Sequence, residues 1–257
     1  MQKKLSLVAA ALSGAVLFAQ SQNPPAAPQV RKPPSYVRRF SAGVTLSVLG
    51  LSLVPKGNDN AVTTSPPVDS AYSSDDASQR IGYGLSAQVA VTERFAVNAG
   101  LLMRRLGYTR ESDIYEGVDN PTTTKDDRTH TVMHQDTRAK LIDVPVLVRY
   151  YGKDRTEEGS RWFFEGGIAR RQVSQIRSST AKTVNSGDVE CCEDTPAQPA
   201  QRSITGLVVG FGGQVIDPVG IRVVPEVRYT RWRGRTFDAM STSTRVDQVE
   251  IMLSLTF

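Results

Sequence analysis

The chain has 257 residues, with 31 Lys and Arg against 26 Asp and Glu, a net charge of +5, and 39% apolar residues. That slight basic excess forms no Lys/Arg-rich run and no aromatic-interleaved patch, which argues against nucleic acid as a partner. The two cysteines are adjacent, Cys191 and Cys192, so a small secreted disulfide framework is excluded.

At the start, Lys3 and Lys4 precede an apolar run from Leu5 to Phe18, the pattern of a secretory leader. Residues 1–19 are read as a signal peptide cleaved near Ala19, and the absence of a following Cys argues against a lipid anchor. Residues 20–39 carry Pro24, Pro25, Pro28, Pro33 and Pro34, which predicts a stiff, extended periplasmic arm. No later segment nears the ~18 unbroken apolar residues of a membrane-crossing helix. Any membrane crossing must use strands.

From Phe40 onward, eight segments alternate with period two. The first sets Phe40, Ala42, Val44, Leu46 and Val48 against Ser41, Gly43, Thr45 and Ser47. The second sets Ile81, Tyr83, Leu85, Ala87, Val89 and Val91 against Gly82, Gly84, Ser86 and Gln88. The third has Phe95, Val97, Ala99, Leu101 and Met103 opposite Asn98, Gly100 and Arg104. In the fourth, Ile142, Val144, Val146, Val148 and Tyr150 oppose Asp143, Pro145 and Arg149. The fifth, near 162–173, is less regular, with Glu165 and Arg171 on one parity and Phe164 and Ile168 on the other. The sixth opposes Leu207, Val209, Phe211 and Val215 to Gly206, Gly210, Gly212 and Gln214. The seventh opposes Ile221, Val223, Val227 and Tyr229 to Arg222, Glu226, Arg228 and Thr230. The last runs to Phe257, with Val249, Ile251, Leu253 and Leu255 against Gln248, Glu250, Met252, Ser254 and Thr256. Each segment has one greasy and one wet face, as strands between lipid and a polar lumen require.

Connections after the even segments are short, at 92–94, 152–159 and 217–220. Those after the odd ones are long and polar, at about 54–80, 111–135, 177–202 and 234–245. This asymmetry predicts an all-β, eight-stranded, antiparallel up-and-down transmembrane barrel over 40–257, with short periplasmic turns and four long extracellular loops. Strands longer than the ~10 residues that cross a bilayer should project on the loop side. Aromatics fall at strand ends: Phe40, Phe95, Tyr150, Trp162, Phe164 and Phe257 at one level, Tyr83, Tyr108, Tyr229 and Trp232 at the other, as two interfacial belts would. Pro145 and Pro225 each remove a ladder donor inside a strand and predict bulges or nearby strand ends.

Several residues resemble a known family. Ile142-Asp-Val-Pro-Val-Leu-Val-Arg-Tyr-Tyr151 is similar to the Ile-Pro-x-Leu-x-(Arg/Lys)-Tyr strand of small outer-membrane β-barrel domain proteins, the OmpA-like eight-stranded barrels of Gram-negative bacteria. Pro225-Glu-Val-Arg-Tyr-Thr-Arg-Trp232 and the terminal Phe257 fit the same pattern. The resemblance spans about Phe40 to Phe257 and implies fold and outer-membrane location. It brings no catalytic residue.

The inward parities collect Arg104, Asp143, Arg149, Glu165, Arg171, Arg222, Glu226, Arg228 and Glu250. They read as a lumen charge network, serving either as an ion or proton path or as a fixed plug. An eight-stranded barrel is only wide enough for side chains to fill, which favours the plug. His130 and His134, with Asp136, lie in the second loop; a metal site or a rim-active enzyme could draw on them, but no nucleophile motif accompanies them. Cys191 and Cys192 suggest a vicinal disulfide or an intermolecular bridge, and the neighbours Glu190, Glu193 and Asp194 disfavour a reactive thiolate. Phe257 is read as an assembly signal. The expectation is a non-enzymatic, monomeric outer-membrane protein without a cofactor, with outer-membrane lipid, the barrel-assembly machinery and an extracellular ligand taken by the loops as its partners. A rim-active enzyme and a narrow low-conductance pore remain open.

Overall fold

In the computed structural model, the residues described are 39–157, 159–185, 187, 189–193, 197–216 and 221–257. The expected signal peptide, and all of the Pro-rich arm except Arg39, lie outside this set. Among these residues thirteen strands follow in order: β1 (Phe40–Leu49), β2 (Gly57–Thr64), β3 (Pro67–Asp76), β4 (Ile81–Ala90), β5 (Phe95–Glu116), β6 (Thr129–Tyr151) and β7 (Arg161–Val184). After them come β8 (Val189–Glu193), β9 (Ser203–Ile216), β10 (Arg222–Trp232), the two-residue strands β11 (Asp238–Ala239) and β12 (Thr242–Ser243), and β13 (Asp247–Thr256). No helix occurs among the described residues.

Eight strands close a ring in the order β1-β4-β5-β6-β7-β9-β10-β13, every neighbour antiparallel, with β13 returning to β1. The period-two pattern dictates which residues face in. In β13 burial alternates without a break from Glu250 to Thr256, and Ile251, Leu253 and Leu255 stay exposed. An exposed sheet face made of Val44, Leu85, Val146, Val209 and their neighbours has no place in water, but it suits lipid.

The ring is lopsided. β5, β6 and β7 have 22, 23 and 24 residues, whereas β1, β4 and β13 have 10 each. The surplus on β5–β7 continues past the barrel on the long-loop side, where the β2–β3 hairpin pairs with β5 and β8 pairs with β7. The result is an outer sheet in the order β2-β3-β5-β6-β7-β8. Much of what the sequence presents as the first three long loops is therefore strand. A one-residue register shift between Arg138 and Lys140, with Gln175 at φ 50, marks the level where the sheet leaves the barrel. A bulge there adds twist and redirects the strand at the rim.

The strand prolines form no bulge. The register is the same on both sides of each: Ala99 faces Val146 and Leu102 faces Asp143 around Pro145, while Val223 faces Val215 and Glu226 faces Gly212 around Pro225. Each proline keeps its partner on the other side, Ala169 or Leu253, so the ladder only skips the missing N–H. Gly100 leaves room for the inward ring: a Cβ there would lie 3.3 Å from Pro145 Cγ.

One aromatic belt needs correction. Phe40, Phe95, Tyr150, Trp162, Phe164 and Phe257 all face out at the short-turn end, and ring contacts run from Phe95 through Tyr150, Trp162 and Phe164 to Phe211. At the other end only Tyr83 and Tyr229 face out; Tyr108 and Trp232 are buried. Their parity places them inward, with Arg104 and Arg228 respectively.

Candidate functional site

The barrel interior is built from alternate residues of neighbouring strands, and the nine inward charges are all buried there. They fall into two groups. In the first, Arg149 donates through Nε to Glu165 at 2.6 Å and through Nη2 to Glu226 at 2.6 Å. Arg228 reaches the same two carboxylates at 3.0 and 2.7 Å. Two arginines and two glutamates thus form a closed four-membered ring across β6, β7 and β10. Gln88 accepts from Arg149 and from the Tyr151 hydroxyl, at 3.2 and 2.8 Å, and the Arg149 guanidinium lies 4.4 Å from the Phe163 ring.

The second group sits nearer the long-loop end. Arg171 donates to both Asp143 oxygens at 2.7 and 2.8 Å and to Gln248 at 2.6 Å, and stacks 4.1 Å from the Trp232 ring. Arg104 pairs with Asp143 at 3.5 Å and with Glu250, which also accepts from Gln248. Arg222 is buried towards the short-turn end. Buried ions must be paired to be tolerated, and each carboxylate here meets at least one guanidinium.

The sequence reading missed several members. Arg161 is 2% exposed, donates to Gln214 at 2.6 Å and lies 4.3 Å from the Tyr151 ring. It shares the parity of Glu165 and Arg171, so the signal was present. Gln88, Gln248 and Trp232 are uncharged and gave no charge signal. Gly210 has a specific role: a Cβ there would come within 2.8 Å of Glu165 Oε1. Its absence lets the carboxylate lie between two arginines. Cavities beside the network measure about 10 Å³ each, room for roughly one water.

Above the network the mouth is covered. Leu53 and Val54, after β1, and Phe237, before β11, pack on Leu106, Tyr108, Ala139, Leu141 and Val173. Tyr108 and Phe237 meet edge to face at 5.6 Å, and Arg245 N–H donates to the Leu53 carbonyl at 2.8 Å. Two of the long connections therefore make an apolar lid over the charged interior.

On the outer sheet, His130 Nε2 lies 3.1 Å from Asp113 Oδ1, and its ring stacks on Tyr115 at 4.3 Å. His134 lies on the same strand and the same face, four residues and so ~13 Å away. Helical spacing would bring the two together; this strand keeps them apart. No group of three or more metal-ligating side chains occurs among the described residues. At the β5–β6 tip, Arg128 donates to Asp126 at 2.7 Å and to Asp69 at 2.8 Å. The Arg128 guanidinium lowers the Asp126 carboxyl to about 2. Cys191 and Cys192 are in β8, with Cys191 opposite Ala181, and their side chains lie outside the described set. Phe257 donates its N–H to the Ala42 carbonyl at 2.9 Å and turns its ring outward.

Among solved structures, the outer membrane protein OprG of Pseudomonas aeruginosa is 11% identical, with 84% of this chain and 93% of that chain covered and a TM-score of 0.42. Ail, the attachment invasion locus protein of Yersinia pestis, in complex with the heparin analogue sucrose octasulfate, is 10% identical over 86% of this chain and all of its own, with a TM-score of 0.34. No curated protein sequence matches. The outer membrane protein beta-barrel domain family matches residues 18–231. The closed antiparallel ring, its lipid-facing surface and that match together place the protein in the outer membrane, and the chain belongs to the outer membrane protein beta-barrel domain family.

Proposed function

We propose that this protein is a non-enzymatic, monomeric barrel that anchors a rigid extracellular sheet for binding at the cell surface. The observation that carries this reading is the contrast between a filled interior and an elaborated exterior. Ion pairs and an apolar lid occupy the lumen, whereas β5, β6 and β7 run to about twice the length of β1, β4, β10 and β13. The outer sheet ends on β2, whose Asn58, Asp59 and Asn60 are exposed along an edge left unpaired among the described residues. Such an edge offers backbone donors and acceptors to an extended partner segment. On this reading the interior network is structural, residues 1–19 deliver the chain to export, residues 20–39 form a periplasmic arm, and Phe257 serves recognition by the assembly machinery.

Two measurements test the proposal. Planar-bilayer recording on the refolded full chain should show no discrete conductance steps; steady channel openings would replace the plug with a pore. Removing residues 57–76, the β2–β3 hairpin, should leave barrel assembly intact and abolish surface attachment by cells displaying the protein. Attachment equal to that of the full chain would remove the sheet from the function.

A further inference from the structure

We propose that a groove on the outward face of β5, β6 and β7, just above the lipid-facing band, holds the phosphate groups of an outer-leaflet lipid headgroup. The groove has a volume of about 530 Å³ and is lined by Arg105, Arg138, Lys140 and Arg177, with Asp136 as its carboxylate. Four cations against one carboxylate leave a surplus of three positive charges. Asp136 is taken by Arg138 at 3.3 Å, and Arg105, Lys140 and Arg177 have no partner among the described residues.

Register makes this arrangement unusual. Arg105 faces Lys140 directly across the β5–β6 ladder, and Arg138 faces Arg177 across β6–β7. Like charges directly opposite, ~5 Å apart at Cβ, repel and destabilise a sheet. Two such pairs lie side by side on one face, at the level of the β7 bulge. A bound anion turns that repulsion into coordination. Gly107, opposite Arg138, adds no side chain to the floor between them.

Position identifies the source of the anion. Outward residues on β5 run Phe95, Val97, Ala99, Leu101 and Met103 before Arg105, and on β6 they run Tyr150 to Ile142 before Lys140. The apolar run of ~9 residues matches one bilayer crossing. Arg105 and Lys140 come two residues later, ~7 Å along the strand. That is where the headgroup layer, several ångströms deep on each side of the hydrocarbon, begins. On β7 and β10 the first outward cations beyond the apolar run are Arg170 and Arg231, and Ser203 and Asp247 engage them. In the groove, Arg105, Lys140 and Arg177 are left for the membrane.

The test uses the full chain refolded in phosphatidylcholine vesicles doped with a bis-phosphorylated glycolipid, with lipid retention read by native mass spectrometry after detergent extraction. Wild type should retain the phosphorylated glycolipid and lose it when its phosphates are removed. Near an anionic surface each cation contributes about a fivefold factor, so Arg138→Gln/Lys140→Gln/Arg177→Gln should weaken retention on the order of a hundredfold. Lys182→Gln, an exposed cation farther out on β7, should leave retention unchanged. Millimolar inorganic phosphate should not compete. Retention by the triple variant equal to wild type, or an equal loss with Lys182→Gln, overturns the site. Full competition by inorganic phosphate overturns the lipid as its ligand.

Discussion

Replacing Glu226 with Gln tests the interior directly, because it preserves shape and removes one charge from the four-membered ring. Glu226 accepts from Arg149 at 2.6 Å, forms an ion pair with Arg228 at 2.7 Å and is 3% exposed. A hydrogen bond to a charged group is worth about 1.5–3 kcal/mol, against about 0.5–1.5 for a neutral one. Weakening two such contacts therefore costs about 2–3 kcal/mol. That meets the lower end of the ~3–5 kcal/mol for breaking a buried pair, since two arginines are left sharing Glu165. Urea unfolding of the vesicle-refolded protein, followed by tryptophan fluorescence, should show a loss of this size. Asp247→Asn breaks the exposed Arg231 pair, with side chains 66% and 45% accessible, and should change stability by less than about 1 kcal/mol. Adding Arg228→Met to Glu226→Gln should restore part of the loss, because the surplus cation goes with the missing anion. If Glu226→Gln matched wild type within ~0.5 kcal/mol, the paired-charge interior would not be holding the barrel together.

Other perturbations separate the remaining surfaces. Leu85→Arg or Val209→Arg should cost about 2–4 kcal/mol near the bilayer midplane, measured in the same unfolding assay; no loss at either site would reverse the assigned faces. Phe237→Ala should remove about 3–5 kcal/mol by opening the lid, and unchanged stability would mean the lid is not packed. Gly210→Val should cost about 1–3 kcal/mol by displacing Glu165 from its arginines, which the same curves would report. Asp126 should titrate with a midpoint near 2 by carboxyl NMR, against 3.8 for an ordinary Asp. A depressed carboxylate gives its stabilisation above the unfolded value, so the tip contact persists at neutral pH and is lost as pH falls from about 4 to about 2. A midpoint near 4 would remove the contact.

Strand faces within the membrane were legible because lipid and lumen impose opposite demands on alternate residues. Leu253 and Ser254 cannot exchange places. Beyond the rim both faces meet water, and that pressure vanishes. The upper part of β5, Thr109-Arg-Glu-Ser-Asp-Ile-Tyr-Glu116, reads as a polar loop, yet cross-strand contacts hold it: His130 on Asp113, Tyr115 stacked on His130, and Arg110 over Tyr72 at 4.8 Å. Those pairings join distant segments and leave no local period. Trp232 was misplaced for another reason. An aromatic at a strand end has two sites open to it, and strand position outweighed the parity it shares with Arg228 and Glu226. The groove cations were visible one by one as Arg105, Arg138, Lys140 and Arg177, but only register makes them neighbours.

The β1–β13 seam joins the two ends of the barrel sequence, with Leu46 facing Leu253 and Val48 facing Ile251. Contacts so remote in sequence form late in folding, because the intervening chain must first be ordered. Until then the sheet formed by β4 to β7 carries Arg104, Arg149, Arg161 and Arg171 on its inner face, against only Asp143 and Glu165. The final hairpin brings Glu226 and Glu250 together with Arg222 and Arg228, so Arg149 gains Glu226 and Arg104 gains Glu250 only at closure. Ring closure therefore completes specific ion pairs as well as backbone pairing. It is also checked for alignment. A slip of one residue at the seam would turn Gln248 and Glu250 into the hydrocarbon and Ile251 and Leu253 into the lumen, stranding Arg104 without Glu250, so the interior admits the last strand in one register.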